Sequence, residues 1–203
     1  MFTLLKYNIE KTIGHSISEK DFKSFHELVF EKSFEKKSFL VEEGELCNYI
    51  YFVREGSCYS YIADKKGEKH VVQFALEGFW ISDLYSFFSN RPAIYSIEAL
   101  ESLNVLVLNK ENFQNCCDNI PVFDRFFRML IQNAYVSLQY RMAKTNSEEA
   151  ESRYEEFARQ NPHLIQRIPQ YLIASYLGIK PQSLSRIRKE MVSKKGIVKQ
   201  KII

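Results

Sequence analysis

The chain has 203 residues, of which 28 are Lys or Arg and 25 Asp or Glu, for a formal charge of +3; it is 45% hydrophobic and 14% aromatic. That content supports one sizeable core plus a small domain and excludes general disorder. No apolar run approaches the roughly 20 residues that cross a bilayer, and the first residues lack the apolar region and cleavage site of a secretory signal. No membrane partner is therefore expected, and the cytoplasm is the expected compartment.

In chain order, residues 18–30 read as a helix. Ser18 can cap it, Glu19 and Asp21 suit its first turn, and Phe22, Phe25, Leu28 and Val29 form an inward stripe. The pattern changes over residues 38–109. Segments 48–53, 57–63, 70–76, 94–100 and 104–108 are rich in β-branched and aromatic residues, and Gly44, Gly56, Gly67 and Gly78 supply turns between them. The turn spacing of roughly 8–12 residues fits an antiparallel β domain, either a barrel or a sandwich. A long helix is predicted over residues 121–143, opened by Pro121. Phe123, Phe126, Phe127, Leu130, Ile131, Ala134, Leu138 and Met142 include a seam at 3–4 spacing. Such a helix must bury its apolar groups against the β domain, a second copy of the chain, or both. The polar residues 143–150 are the expected hinge. Another helix runs from about Ser147 to Arg159, ended by Asn161 and Pro162.

Residues 168–189 carry the most informative pattern. Leu172, Ile173, Tyr176 and Leu177 mark one short helix, and Gly178 follows where a helix end takes a left-handed residue. Pro181 suits the first turn of a second helix. On that helix Leu184, Ile187 and Met191 should face inward, while Gln182, Ser185, Arg186 and Lys189 share another face. This is a helix-turn-helix pattern. Gln pairs bidentately with adenine and Arg with guanine in the major groove, while Ser and Lys suit phosphate or either base. Ser183, Arg188, Lys180 and Gln170 complete the candidate DNA-contact set. Charge supports it. Residues 163–203 hold nine Lys or Arg against Glu190 alone, a balance of +8, which leaves −5 on the rest of the chain. A basic end on an acidic body is what phosphate neutralisation by one module requires. The class is therefore α+β, with a β domain over 1–118, a dimerisation helix and hinge over 119–145, and a helix-turn-helix domain over 146–203.

Other chemistry finds less support. Cys47, Cys58, Cys116 and Cys117 form no C-x-x-C pair and stand at no zinc-finger spacing from His15, His26, His70 or His163. Reduced, mostly buried thiols are expected, with no metal and no cofactor. No catalytic residues are assigned, because no P-loop, HExxH or nucleophile–base pattern occurs.

The order of these parts resembles the cyclic-AMP receptor / fumarate–nitrate regulator (Crp/Fnr) family of bacterial transcription regulators. The matching residues are Glu43-Gly44-Glu45, Tyr51-Phe52-Val53-Arg54-Glu55-Gly56, Gly67, Gly78 and the stretch 173–189. The resemblance implies an N-terminal antiparallel β-barrel of the cyclic-nucleotide-binding jelly-roll type, and a homodimer that binds double-stranded DNA through two recognition helices, with RNA polymerase as a further candidate partner. Arg186 and Ser185 match a Ser-Arg pair common in the family. Gln182 stands where a Glu accepts from cytosine, so the preferred base should shift toward adenine, and Pro181 replaces a contacting Arg. Any wing hairpin after Gly196 should be short or absent.

The sensor end departs further from the family. Cyclic-AMP-binding members hold ribose and phosphate with a Gly-Glu-Leu turn and, some ten residues on, an Arg-Ser/Thr-Ala segment. The matching turn here is Ser82-Asp83-Leu84. Aligning on Tyr95 and Ser96 puts Ala93 and Ile94 where Arg-Ser/Thr would be, with Arg91 two residues off. Without that arginine, Asp83 repels a phosphate, so cyclic AMP is not expected to bind. Trp80, Tyr85, Phe87, Phe88 and Tyr95 line either a pocket for an unidentified small-molecule effector or a filled core. The alternative function is a cyclic-nucleotide-binding-like module acting through protein contacts or such a ligand, with weak or no DNA binding.

Overall fold

The computed structural model describes residues 3–200, with side chains described for residues 3–191. Among these, the order is α1 (Thr3–Ile13), α2 (Glu19–His26), β1 (Phe30–Phe34), β2 (Phe39–Val41), β3 (Tyr49–Glu55), β4 (Cys58–Ala63), β5 (Lys69–Ala75), β6 (Trp80–Ile81), α3 (Leu84–Ser89), β7 (Ser96–Ala99), β8 (Leu103–Asn109), α4 (Lys110–Asn119), α5 (Pro121–Ser147), α6 (Ala150–Gln160), α7 (Pro162–Arg167), α8 (Gln170–Leu177) and α9 (Pro181–Gln200). The side chains of Lys194, Lys195 and Lys199, and all of Lys201, lie outside the described residues. They are four of the bases counted in the basic end. The chain divides into two compact units, Met1–Glu68 with Val72–Val136, and Lys69–Val71 with Ser137–Ile203.

The first unit is built on two four-stranded sheets, ordered β1-β8-β3-β6 and β2-β7-β4-β5. The central pair β3 and β8 runs antiparallel in the register Tyr51↔Val107 and Phe52↔Leu106. Successive side chains of a strand point to opposite faces. Tyr51, Val53, Leu103, Val105 and Val107 therefore enter a core shared with Val41, Cys58, Ile97 and Ala99 of the other sheet. Ile50, Phe52, Leu106 and Leu108 enter a second core with Leu5, Ile9 and Ile13 of α1, Phe25 of α2, and Phe123, Phe126 and Phe127 of α5. Trp80 packs there against Phe52, Phe126 and Phe127 and donates its indole N–H to Asn8 at 2.9 Å. Phe25 stacks on Phe123 with centroids 4.1 Å apart.

Several expectations change. The β domain is not a barrel: neither sheet closes on itself, so β1, β6, β2 and β5 stay edges. β6 has only two residues, too short an edge to pair onward and seal the sheet into a ring. The first predicted helix starts as expected, with Ser18 Oγ accepting from Asp21 N at 3.0 Å, but α2 stops at His26. Phe30 is already strand, paired with Val107. Residues 84–89 and 110–119 are helical, α3 and α4, where none was foreseen; Asp83 and Asn109 cap them.

In the second unit, Tyr154 and Phe157 of α6, Leu172, Ile173 and Leu177 of α8, and Leu184 and Ile187 of α9 are buried. α5 continues to Ser147 and only residues 148–149 break it from α6. Asn161 ends α6 and begins α7, with Pro162 in the first turn of the new helix. α9 runs as helix through Gly196 to Gln200, so no wing hairpin occupies those residues.

Gly56 closes the β3–β4 turn at φ +87°, and a Cβ there would stand 2.3 Å from the Ser102 carbonyl oxygen. Gly56→Ala is expected to destabilise the first unit by about 1–3 kcal/mol from the backbone conformation alone, and more from the clash. Urea unfolding measures it; an unchanged midpoint contradicts the steric account.

Candidate nucleic-acid interface

α8 and α9 are joined by Gly178, Ile179 and Lys180. Gly178 takes the left-handed conformation at φ 63°. Its N–H bonds Ser175 O at 3.1 Å, and the Ile179 N–H bonds Ala174 O at 2.9 Å, which satisfies carbonyls that the helix end leaves open. Pro181 then opens α9, where its missing N–H costs nothing. Leu184 and Ile187, at 1% and 3% exposure, seat the inward face of α9 on α6 and α8, and Met191 is half-buried.

That anchoring fixes which side chains face water. Gln182, Ser185, Arg186 and Lys189 are all exposed, at the i, i+3, i+4 and i+7 positions of one helix face. Arg188 is exposed on the flank, Lys180 is exposed in the turn, and Ser183 is half-buried at the margin. Arg186 stands 3.9 Å from Glu190 one turn on, with its side chain 74% exposed. Such a long, solvated pair contributes little and leaves the guanidinium able to take another partner. Gln170 is elsewhere, at the start of α8. It is half-buried, its Nε2 donates to Ile165 O at 3.5 Å, and its Oε1 is buried without a hydrogen-bond partner.

The residues of the expected ligand turn are engaged with one another. Asp83 is fully buried and caps α3: one carboxylate oxygen accepts from Ser86 N at 2.9 Å. The other accepts from Ile94 N at 2.8 Å and Tyr95 N at 2.9 Å. Ser82 Oγ donates to Tyr49 O, Ser86 Oγ accepts from Cys47 N, and Ser96 Oγ accepts from Glu43 N. The Gly44 turn is tied to the same place, since Gly44 N donates to Ala93 O and Ala93 N to Glu45 O. Arg91 lies at the surface with its guanidinium 3.5 Å from the Tyr85 hydroxyl. Leu84 is half-buried.

The aromatic lining does not form one wall. Trp80 and Phe87 belong to the core, Tyr95 is half-buried, and Tyr85 and Phe88 are 42% and 49% exposed. The role of Asp83 as a cap was missed in the sequence, although an Asp three residues before Ser86 is a helix-start signal. The thiols of Cys47, Cys58 and Cys116 are buried and that of Cys117 half-buried, none in a disulfide; burial pushes the Cys58 thiol up to about 12. Among the described residues, no helix is long and apolar enough to cross a membrane.

Residues 31–119 match the cyclic nucleotide-binding domain. No curated protein matches the chain by sequence. Solved structures do match in fold. FixK2 from Bradyrhizobium japonicum superposes with TM-score 0.72 at 18% identity over 82% of this chain and 85% of its own. The c-di-GMP-responsive global regulator CLP of Xanthomonas campestris gives 0.65 at 11% identity, over 87% and 93%. A regulator assigned to the crp/fnr family from Eubacterium rectale gives 0.65 at 12% identity, over 88% and 85%.

Asp83→Ala removes the acceptor for three N–H groups at once, that of Ser86 buried and those of Ile94 and Tyr95 part-buried. Each unsatisfied donor costs about 1–3 kcal/mol, so the variant is expected to unfold well below the wild type in a thermal melt. An unchanged melting temperature would show that the carboxylate is not holding the turn.

Proposed function

From a chain that carries a cyclic nucleotide-binding domain and has the fold of Crp/Fnr-type transcription regulators, we propose a dimeric, sequence-specific DNA-binding regulator. The observation that carries this reading is the α9 face. Buried Leu184 and Ile187 hold Gln182, Ser185, Arg186 and Lys189 outward on one side of a helix that follows a tight glycine turn. Such a helix-turn-helix lays its second helix in the major groove. Arg186 offers a bidentate donor pair to guanine, and Gln182 a donor and an acceptor to adenine. Ser185, Lys189, Lys180 and Arg188 suit phosphate oxygens, which fix register without reading sequence. Gln170, turned inward at the start of α8, carries less of the contact.

The dimer rests on α5. Tyr135, Leu138 and Met142 are 59%, 40% and 58% exposed, and with half-buried Ile131 they follow the i, i+4, i+7, i+11 spacing of a coiled-coil seam. A second copy of the same helix is the occupant that fits, because paired recognition helices read paired half-sites about 34 Å apart. RNA polymerase is the further partner that this reading implies.

The cassette does not take cyclic AMP under this proposal. The backbone N–H groups of Ile94 and Tyr95 already bond the Asp83 carboxylate, and an arriving phosphate would meet that negative charge with no arginine at position 93 or 94. An effector of other chemistry would have to bind elsewhere.

Selection of binding sites from random duplex DNA tests the central reading; recovery of a common two-fold motif supports it, and recovery of none at low salt defeats it. Arg186→Ala is expected to cost roughly 1–3 kcal/mol at one base pair and to relax preference there. Equal affinity and selectivity in a binding titration would remove Arg186 from the reading set. Calorimetry with cyclic AMP should show no heat of binding, and micromolar affinity would overturn the account of Asp83.

A further inference from the structure

Three successive carbonyl groups end α8, and two arginines from other helices take them. Tyr176 O accepts from Arg141 Nη1 at 3.4 Å, Leu177 O from Arg153 Nε at 3.1 Å, and Gly178 O from Arg153 Nη2 at 3.3 Å. The Nη1 of the same Arg153 donates to Glu148 O at 2.5 Å and Thr145 O at 3.2 Å. One guanidinium on α6 thus gathers carbonyls from the last turn of α5, the α5–α6 break and the α8–α9 turn. Arg141 adds its charge 4.4 Å from the centroid of Tyr176, and a Cβ at Gly178 would stand 3.3 Å from Thr145 Cγ2.

The chemistry suits a staple. Carbonyls at helix C-termini have no partner within the helix, and they carry the negative end of its dipole. A planar guanidinium can satisfy several in fixed directions, which a lysine ammonium cannot. Arg153 is half-buried, and its bonds to Leu177 O and Glu148 O, which are part-buried, compete less with water than its exposed bonds to Thr145 O and Gly178 O.

We propose that Arg153 is a positioning residue for the DNA-reading helix, locking the end of α5, the α5–α6 joint and the α8–α9 turn into one rigid piece. The polar stretch 143–150, expected as a hinge, is then stapled rather than free to bend. α9 follows the Ser137–Ser147 half of α5 when that helix moves, and in a dimer this fixes the distance between the two reading faces. The consequence for DNA rests on the proposed regulator reading; the staple itself does not.

The test uses the full chain as wild type, Arg153→Met and Arg153→Lys. Hydrogen exchange reads the staple: Arg153→Met should lose amide protection in 145–151 and 177–180 together, while β3 and β8 keep theirs. Protection unchanged, or lost in only one of the two segments, overturns the proposal. Binding to selected DNA with the half-site spacing varied by single base pairs reads the positioning. Arg153→Met should bind the preferred spacing about tenfold or more weakly while a single half-site changes less than about threefold. The wild-type spacing preference should flatten, and the salt dependence should stay the same, because no phosphate contact is removed. Arg153→Lys, which keeps the charge without the fork, should fall between and covers the case in which the Met variant does not fold. An undiminished spacing preference in a variant that has lost protection overturns the positioning role. If the wild type selects no DNA, the regulator reading fails, while the exchange result still decides the staple.

Discussion

The first unit depends on two strands being apolar on both faces. β3 and β8 lie side by side, and each alternates its side chains between two cores. A half-exposed strand would locate one neighbouring layer; these locate two. Phe52 and Leu106 receive α1 and the start of α5, while Tyr51 and Val107 face the second sheet. The start of α5 is therefore tied to the same strands that carry the β3–β4 turn. Gly56 must let the Ser102 carbonyl approach closely there, since any side chain would push β8 out of register with β3 and disturb both cores.

Two charged side chains solve a related problem in opposite senses. Chain reversals leave backbone groups without partners, and a buried one costs roughly 1–3 kcal/mol. Asp83 answers for donors, taking the N–H groups of Ser86, Ile94 and Tyr95. Arg153 answers for acceptors, taking the carbonyls of Thr145, Glu148, Leu177 and Gly178. Each occupies a place where a flexible loop would otherwise need water or a ligand. Asp83 thereby fills with protein charge the N–H groups that would recognise an anion. Arg153 stiffens the segment whose polarity alone suggests a hinge.

What was legible in the sequence follows from the strength of each local signal. The α8–α9 turn was readable because Gly178 and Pro181 punctuate it and Leu184 and Ile187 fix an inward face, but α9 runs on to Gln200, past the two short helices read within residues 168–189. β3 and β8 were readable because runs such as Val105-Leu106-Val107-Leu108 have few other uses. α1 was missed even though Leu5, Ile9 and Ile13 recur one turn apart. Lys6, Asn8, Glu10, Lys11 and Thr12 stand between them, and neither Met1 nor Phe2 is a residue type that caps a helix. α4 was missed because its buried face is Cys116 with half-buried Phe113 and Cys117 rather than an aliphatic stripe. The barrel expectation failed on closure: alternation reports that strands have an inner face, while closing a ring depends on the pairing of edge strands, which β6 with two residues cannot supply. The engagement of Asp83 and Arg153 was hidden for another reason. Apart from the Asp83 cap on Ser86, these side chains bind main-chain atoms of other turns, Ile94 and Tyr95 for Asp83 and Leu177 and Gly178 for Arg153, and backbone groups leave no mark in a sequence.

Under the proposed reading, a cassette whose N–H groups are taken by Asp83 changes where control of the regulator can lie. A ligand shifts an equilibrium only by its differential affinity for two states. N–H groups already bonded to Asp83 offer an anionic ligand little to gain, since it would have to displace a fully buried carboxylate. Under the proposed reading, the remaining lever is assembly. The exposed seam of Ile131, Tyr135, Leu138 and Met142 on α5 couples protomer concentration to the presence of two reading helices, and bivalent engagement of DNA multiplies that dependence. Under the same reading, the +8 balance at the C-terminal end would draw each protomer to phosphate at low salt. Sequence choice is then made only when two α9 helices, each held to its own α5, meet two half-sites at the correct separation. A stiff joint suits that arrangement better than a hinge, because flexibility between the dimer seam and the reading helix would relax the geometry on which the selection depends.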